Sequence, residues 1–289
     1  MLLAILLGPY AAFLSMASIL TVQALFFADG GLLALGCNIF NLGFFPCFVA
    51  YPFIYRKIVG QRPERDRILL GAMAASVLAL QMGAFSVVLE TRGSGISELP
   101  FSSFVLLMQP VHLAIGIVEG LVTAAVVSFI WNARPEVLEM AAASGRSGHY
   151  SVRNVLAVLL ILTVVTGGAL SWFASTHPDG LEWSMFYTSG SEELESPADG
   201  VHPMLAWLQE KTAFLPDYGF KGSESDALAQ ADRNAPRPEP AGDQAWPAVN
   251  AGTSVSGLVG GAITLFVVVL IGFGLRRLRP GGYAKRIGR

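Results

Sequence analysis

Long apolar runs constrain this chain more than any other feature. A helix needs about 20 apolar residues to cross ~30 Å of hydrocarbon. Runs of that kind recur at roughly 6–27, 33–55, 68–90, 104–131, 154–174 and 255–275. A lone strand in lipid leaves its backbone unpaired, so these segments are read as helices. Composition agrees: 53% of the 289 residues are hydrophobic, only 14% are charged, and mean hydropathy is +0.54. A soluble domain carries about a quarter charged residues. The expected fold is an all-α polytopic membrane protein with about six transmembrane helices, with the lipid bilayer as its main partner. A net charge of −2 offers no basic excess for nucleic acid.

The loops give an orientation. Arg56, Lys57, Arg62, Arg65 and Arg67 crowd the loop 56–67, and Arg134, Arg146 and Arg153 lie in 132–153. The tail after 275, RRLRPGGYAKRIGR, is basic throughout. Lys and Arg are sparse in 28–32, 91–103 and 175–254. The positive-inside rule therefore places both termini in the cytoplasm of a multi-pass protein of the cell (inner) membrane. The stretch 175–254 becomes a long outer loop. Its SEELESPADG and ADRNAPRPEPAGDQAWP segments have the polar, Pro-rich composition of disorder. The chain opens MLLAILLGPY, already apolar, with no charged residue ahead of it and no A-x-A-like cleavage site. Further residues are expected in front of Met1.

Polar residues inside apolar runs are the candidate functional positions. Asn38 and Asn41 lie three apart, on one helix face, just after the glycine-rich turn ADGGL. An unpaired amide in lipid costs a few kcal/mol, so both must meet protein, water or a ligand. Two readings stay open: an interhelical hydrogen-bond pair, or polar lining of a pocket near the outer face. Gly30 and Gly31 suit a tight turn, and Gly36 and Gly43 suit close helix packing. His112 and Glu119 share a helix that also carries Pro110. Two turns separate them, ~10 Å along the axis, so one ion cannot bridge them without another helix. They read either as packing hydrogen-bond partners or as pocket residues. Pro178, Asp179, Gly180, Leu181 and Glu182 form a turn signal followed by the interfacial Trp183. His177, Asp179 and Glu182 could chelate a cation, but turn plus anchor explains them as well. Cys37 and Cys47, ten apart, match no zinc or CxxC pattern and read as buried thiols. The sequence has no Walker, GxSxG, HExxH or EF-hand motif, so no enzymatic activity is expected.

Two stretches carry a family resemblance. LLGPYAAFLSMASILTVQALFFADGGLLALGCNIFNLGFFPCFVAY and PVHLAIGIVEGLVTAAVV resemble the substrate-binding membrane component of energy-coupling-factor cobalt/nickel transporters, the CbiM/NikM family. LSWFASTHPDGLEW, FLPDYGF and GTSVSGLVGGAITLFVVV resemble the small PDGLE-type N component of the same systems. The resemblance divides the chain into a metal-capture domain over 1–140, a cytoplasmic linker over 141–153, and an N-component-like domain over 154–278. A basic tail follows over 279–289.

The resemblance implies capture of Ni²⁺ or Co²⁺ as transported ion at the outer face, with no resident cofactor. It implies a transmembrane coupling subunit and cytoplasmic ATPases as partners. It also implies nitrogen ligands from an N-terminal amine, a histidine at position two and a second histidine before the glycine-rich helix. Such donors suit nickel and cobalt alike. Here the chain begins Met1-Leu2, and His112 is the first histidine. No metal ligand can therefore be assigned, and Asn38, Asn41, His112 and Glu119 are expected to line or buttress the pocket. Two functions follow. One is a metal-capture subunit. The other is a membrane scaffold or sensor of the same ancestry that has lost the metal site.

Overall fold

The computed structural model describes residues 1–60, 64–95, 99–133, 138, 153–174, 178–191, 200–221 and 247–278. Among them there is no β-strand. Helix α1 covers Leu2–Leu7 and breaks at Gly8, whose φ of 76° admits glycine readily. Pro9 then starts α2, Pro9–Val22, at the first helical position, where its missing N–H costs nothing. Helix α2 runs on through a π-helical turn, Gln23–Phe27. Helix α3, Leu35–Ile39, continues as a wide π-helical segment over Phe40–Tyr55 that contains Pro46 and Pro52. A final α-turn over Arg56–Val59 ends at Gly60. Helix α4 is Arg65–Ser94 and α5 is Phe101–Ala133.

Helices α4 and α5 are an antiparallel pair that packs through small residues. A Cβ on Gly116 would stand 3.1 Å from the Val77 Cα, and one on Gly120 would stand 3.1 Å from the Met73 Cα. Backbones that close exchange dispersion contacts along their length, which is how helices associate where lipid supplies no hydrophobic drive. Ala72, Ala75, Ser76, Ala79 and Gly83 are small buried residues of α4. Gln81 and Gln109 cross-link the pair, each donating its side-chain amide to the other's backbone carbonyl, at 2.9 and 3.4 Å. Gly83 faces α3: a Cβ there would lie 2.8 Å from the Asn41 carbonyl oxygen.

The second half adds α6, Arg153–Gly168, a 3₁₀ turn over Leu170–Phe173, α7, Gly180–Ser189, α8, His202–Thr212, and α9, Ala251–Leu278. Among the described residues, five helical segments are long and apolar enough to span a membrane: Pro9–Phe27, Leu35–Val59, Arg65–Ser94, Phe101–Ala133 and Ala251–Arg277. The fifth apolar run of the sequence, 154–174, differs. Its helix ends after Gly167-Gly168 and tightens into the 3₁₀ turn, leaving a shorter apolar helix over Leu156–Gly168. Gly167 is there because α9 crosses at that point. A Cβ on Gly257 would sit 2.6 Å from the Gly167 carbonyl oxygen. Ser254 Oγ donates to the freed Gly168 carbonyl at 2.6 Å and accepts from Trp172 Nε1 at 2.7 Å.

The stretch 175–254 is more structured than its composition implies, since α7, α8 and a 3₁₀ turn over Pro216–Tyr218 lie within it. Its acidic and Pro-rich segments, 192–199 and 222–246, the linker 141–152, His177 and the tail 279–289 lie outside the described residues. Large side chains such as Leu160 and Phe266 are exposed on α6 and α9, as lipid-facing residues are. This is a multi-pass membrane protein.

A valine at Gly83 has no room against the Asn41 carbonyl. Gly83→Val is expected to destabilise the protein by about 1–3 kcal/mol, the usual cost of overpacking, read as an earlier thermal unfolding in detergent.

Candidate functional site

The turn between α2 and α3 is strained locally and held from far away. Ala28, Gly30 and Gly31 all have positive φ, at 56°, 74° and 66°. Glycine tolerates this region, whereas alanine does so at a cost. Gln209 on α8 spans the turn. Its Nε2 donates to the Ala28 carbonyl at 3.1 Å, and its Oε1 accepts from the Leu32 N–H at 3.0 Å. Inside the turn, Asn38 Nδ2 donates to the Gly30 carbonyl at 3.1 Å. A Cβ on Gly30 would lie 2.8 Å from that same nitrogen, so glycine is required twice over.

Asp29 anchors the second half of the chain. Its Oδ2 accepts from Gln23 Nε2 at 3.0 Å and from the Tyr218 hydroxyl. The Tyr218 ring stacks on Phe27 at 5.1 Å, and Phe214 packs on Phe26 at 5.5 Å. The Leu215 N–H donates to the Phe26 carbonyl at 3.2 Å. Asp217 and Tyr218 both take left-handed φ, at 48° and 60°, and Ser256 on α9 holds the Tyr218 carbonyl at 2.9 Å. Burial, reinforced by the Asp29 carboxylate that accepts from the hydroxyl, pushes the Tyr218 phenol above the ordinary tyrosine range. This clasp joins residues 189 positions apart. No short-range pattern announces it; FLPDYGF is its only trace in the sequence.

The PDGLE segment makes a second junction. Asp179 caps α7, accepting from the Leu181 and Glu182 N–H groups at 2.7 and 2.9 Å, and Glu182 returns to the Asp179 N–H at 3.1 Å. This reciprocal capping box holds the first turn of α7. Gly180 rests on α5, where a Cβ would come within 2.9 Å of Val111, 3.0 Å of His112 and 3.1 Å of Ile115. Leu181 and Met185 pack against Phe104 and Met108 of α5. Pro178 lies exposed just before the cap. Asp179 and Glu182 thus serve the helix terminus.

The sequence-predicted polar residues are not gathered into one pocket. Asn38 supports the turn. Asn41, 4% exposed, instead donates to Glu90 Oε2 on α4 at 2.8 Å. His112 Nδ1 lies 2.8 Å from the Met108 carbonyl on its own helix, and Glu119 Oε1 lies 3.0 Å from the Met1 nitrogen. Glu90 escaped sequence reading because it sits at the edge of an apolar run. Its one local signal is Ser86, four residues back on the same face. Among the described residues, no three His, Cys, Asp or Glu side chains cluster closely enough to hold a metal ion.

Comparison with known proteins places this arrangement. Residues 1–137 match the family described as CbiM, the cobalt uptake substrate-specific transmembrane region, and residues 153–277 match the PDGLE domain. A fused NikMN protein of Archaeoglobus fulgidus is 31% identical over 94% of this chain and 74% of its own length. The chain belongs to the fused CbiM–PDGLE family. The fused nickel transport protein NikMN of Rhodobacter capsulatus is 31% identical over 74% of this chain and 67% of its own. The cobalt transport protein CbiM of Sorangium cellulosum is 29% identical over 47% of this chain and 60% of its own. No solved structure matches. The two clasps therefore join a CbiM part to a PDGLE part within one polypeptide.

Tyr218→Phe removes the hydroxyl and leaves Asp29 one donor short. It is expected to loosen the clasp by about 1–3 kcal/mol, read as faster amide exchange over 200–221. The raised tyrosine also has a sign. The protonated form is the bound form, so the clasp is fully present below the unfolded tyrosine value of about 10 and weakens as pH rises beyond it. Amide exchange across 200–221, corrected for its intrinsic pH dependence, should show no clasp-linked change from pH ~6 to ~9.

Proposed function

We propose that this protein is the membrane subunit that captures cobalt or nickel for an uptake system of the energy-coupling-factor kind. The observation that carries the reading is the fusion itself, shared with a relative named as a fused nickel transport protein. Orientation by the basic loops puts the 28–34 turn, α7, α8 and the Tyr218 clasp at the outer face, where an ion would arrive. The ion is cargo, and a separate coupling subunit with cytoplasmic ATPases would supply the energy. Nitrogen donors do not separate the two ions, so the reading names the cargo as cobalt or nickel without choosing between them.

In this reading the PDGLE part works as a brace. Gln209 and Tyr218 hold a turn whose own backbone disfavours its shape. Capture sites need their surroundings held within fractions of an ångström. Asn38 contributes from within the turn, through the Gly30 carbonyl.

The test is uptake of radioactive nickel and cobalt by cells carrying the protein with its coupling subunit and ATPases. Accumulation above the level of cells lacking the protein is expected. Asn38→Ala and Tyr218→Phe should each lower it by about tenfold, equivalent to ~1.4 kcal/mol. No accumulation of either ion, with the protein present in the membrane, would favour the scaffold or sensor reading.

A further inference from the structure

Helix α8 presents an exposed apolar face. Val201, its N-cap residue, and Met204, Trp207 and Leu208 are 56%, 62%, 58% and 38% exposed. Spacings of three and four residues set them on one side of the helix. Lys211, also exposed, continues that side. Pro203, Ala206 and Glu210 are exposed on another side. Gln209 lies about 140° round the axis from Met204, and it bonds to the 28–34 turn. The helix thus has one side held by protein, one side without large apolar groups, and one apolar side that ends in a lysine.

The bonds of Gln209 fix the level of this helix. They go to Ala28 and Leu32, which lie between the spanning segments Pro9–Phe27 and Leu35–Val59. That is where the chain leaves hydrocarbon and returns to it, so α8 stands at the membrane surface. Apolar exposure runs on from the helix in both directions across this junction. Phe214, two residues past α8, is 45% exposed and packs on Phe26 at the end of the first span. Leu33, next to the Leu32 that Gln209 holds, is 42% exposed. Tryptophan suits such a level, because its ring is apolar and its N–H seeks water. Lysine suits it too, since its stem lies along apolar surface while its head reaches polar groups.

We propose that α8 is an interfacial helix, lying in the boundary between headgroups and acyl chains at the end of the bundle that carries the 28–34 turn. The partner is the lipid surface itself. Met204, Trp207 and Leu208 enter the acyl region, Lys211 reaches the phosphates, and Ala206 and Glu210 face water. A helix with one apolar side and a basic group beside it binds a bilayer in this way. Gln209 then ties the turn to a helix whose depth the bilayer sets, so the membrane surface supports the turn alongside Asn38 and Tyr218. The placement of α8 holds whatever the protein carries, so this proposal and the transport reading fail separately.

The experiment uses the full chain in vesicles of phosphatidylethanolamine and phosphatidylglycerol, with Cys37 and Cys47 replaced by serine. A nitroxide is attached at Met204→Cys, Trp207→Cys, Ala206→Cys or Glu210→Cys, one at a time. Oxygen concentrates in hydrocarbon, and chromium oxalate stays in water. Labels at 204 and 207 should be relaxed more by oxygen than by chromium oxalate, and labels at 206 and 210 the reverse. Equal access of chromium oxalate to all four would place the apolar side in water and overturn the proposal. Low access of both reagents to 204 and 207 would mean a protein partner covers that side, and would overturn it equally. A milder variant guards against damage by the labels. In vesicles whose lipids are brominated on the acyl chain near the headgroup, the quenched share of tryptophan emission should fall in Trp207→Phe relative to the parent. An unchanged share would count against the proposal.

Discussion

Hydrocarbon accepts no hydrogen bonds, and the long-range polar contacts of this bundle follow from that fact. Ser18 and Thr21 return their hydroxyls to carbonyls one turn back. His112 stays close to the carbonyl of Met108. Gln81 and Gln109 satisfy each other's backbones across the α4–α5 seam. What remains after these local solutions is a short set of long-range bonds, and those define the architecture. Asn41 reaches Glu90, Asp29 receives Tyr218, and Gln209 closes the 28–34 turn.

The same rule explains where the two parts of the polypeptide meet. Small residues bring backbones together inside each part, as at Gly116 and Gly120 in the first and Gly167 and Gly257 in the second. Between the parts, the Tyr218 clasp adds directional bonds to the α2–α3 turn, while the start of α7 rests on α5 through apolar contact. The Tyr218 clasp and the capped terminus of α7 both stand at ends of spanning helices. Phe27 and Gly260 add an apolar seam between α2 and α9, where a Cβ on the glycine would lie 2.9 Å from the ring.

Much of the fold was legible because the bilayer fixes a length scale. Five of the six apolar runs became helices long enough to span, and the exception, 154–174, ends where Gly167 meets Gly257 of α9. The Asp179–Glu182 spacing is a readable helix start. The site was less legible. That Asn38 and Asn41 need partners follows from their chemistry, but which partners they find depends on residues far away in sequence. Asn38 stays with its own turn, while Asn41 crosses to Glu90, because Gly83 lets α4 approach at that level. His112 and Glu119 share a helix, yet one faces the PDGLE segment and the other Met1. Tyr218 and Gln209 lie outside the long apolar runs, so only the folded chain reveals their role.

The central claim is that the 200–221 segment of the PDGLE part rests on the α2–α3 turn of the CbiM part. The most direct measurement is cross-linking in membranes with Cys37 and Cys47 replaced by serine. Leu32→Cys and Gln209→Cys are introduced together, treated with a short bis-maleimide, and mapped by mass spectrometry of the digested protein. A linked peptide pair joining positions 32 and 209 is the predicted result. Single labels at both positions with no linked pair would contradict it.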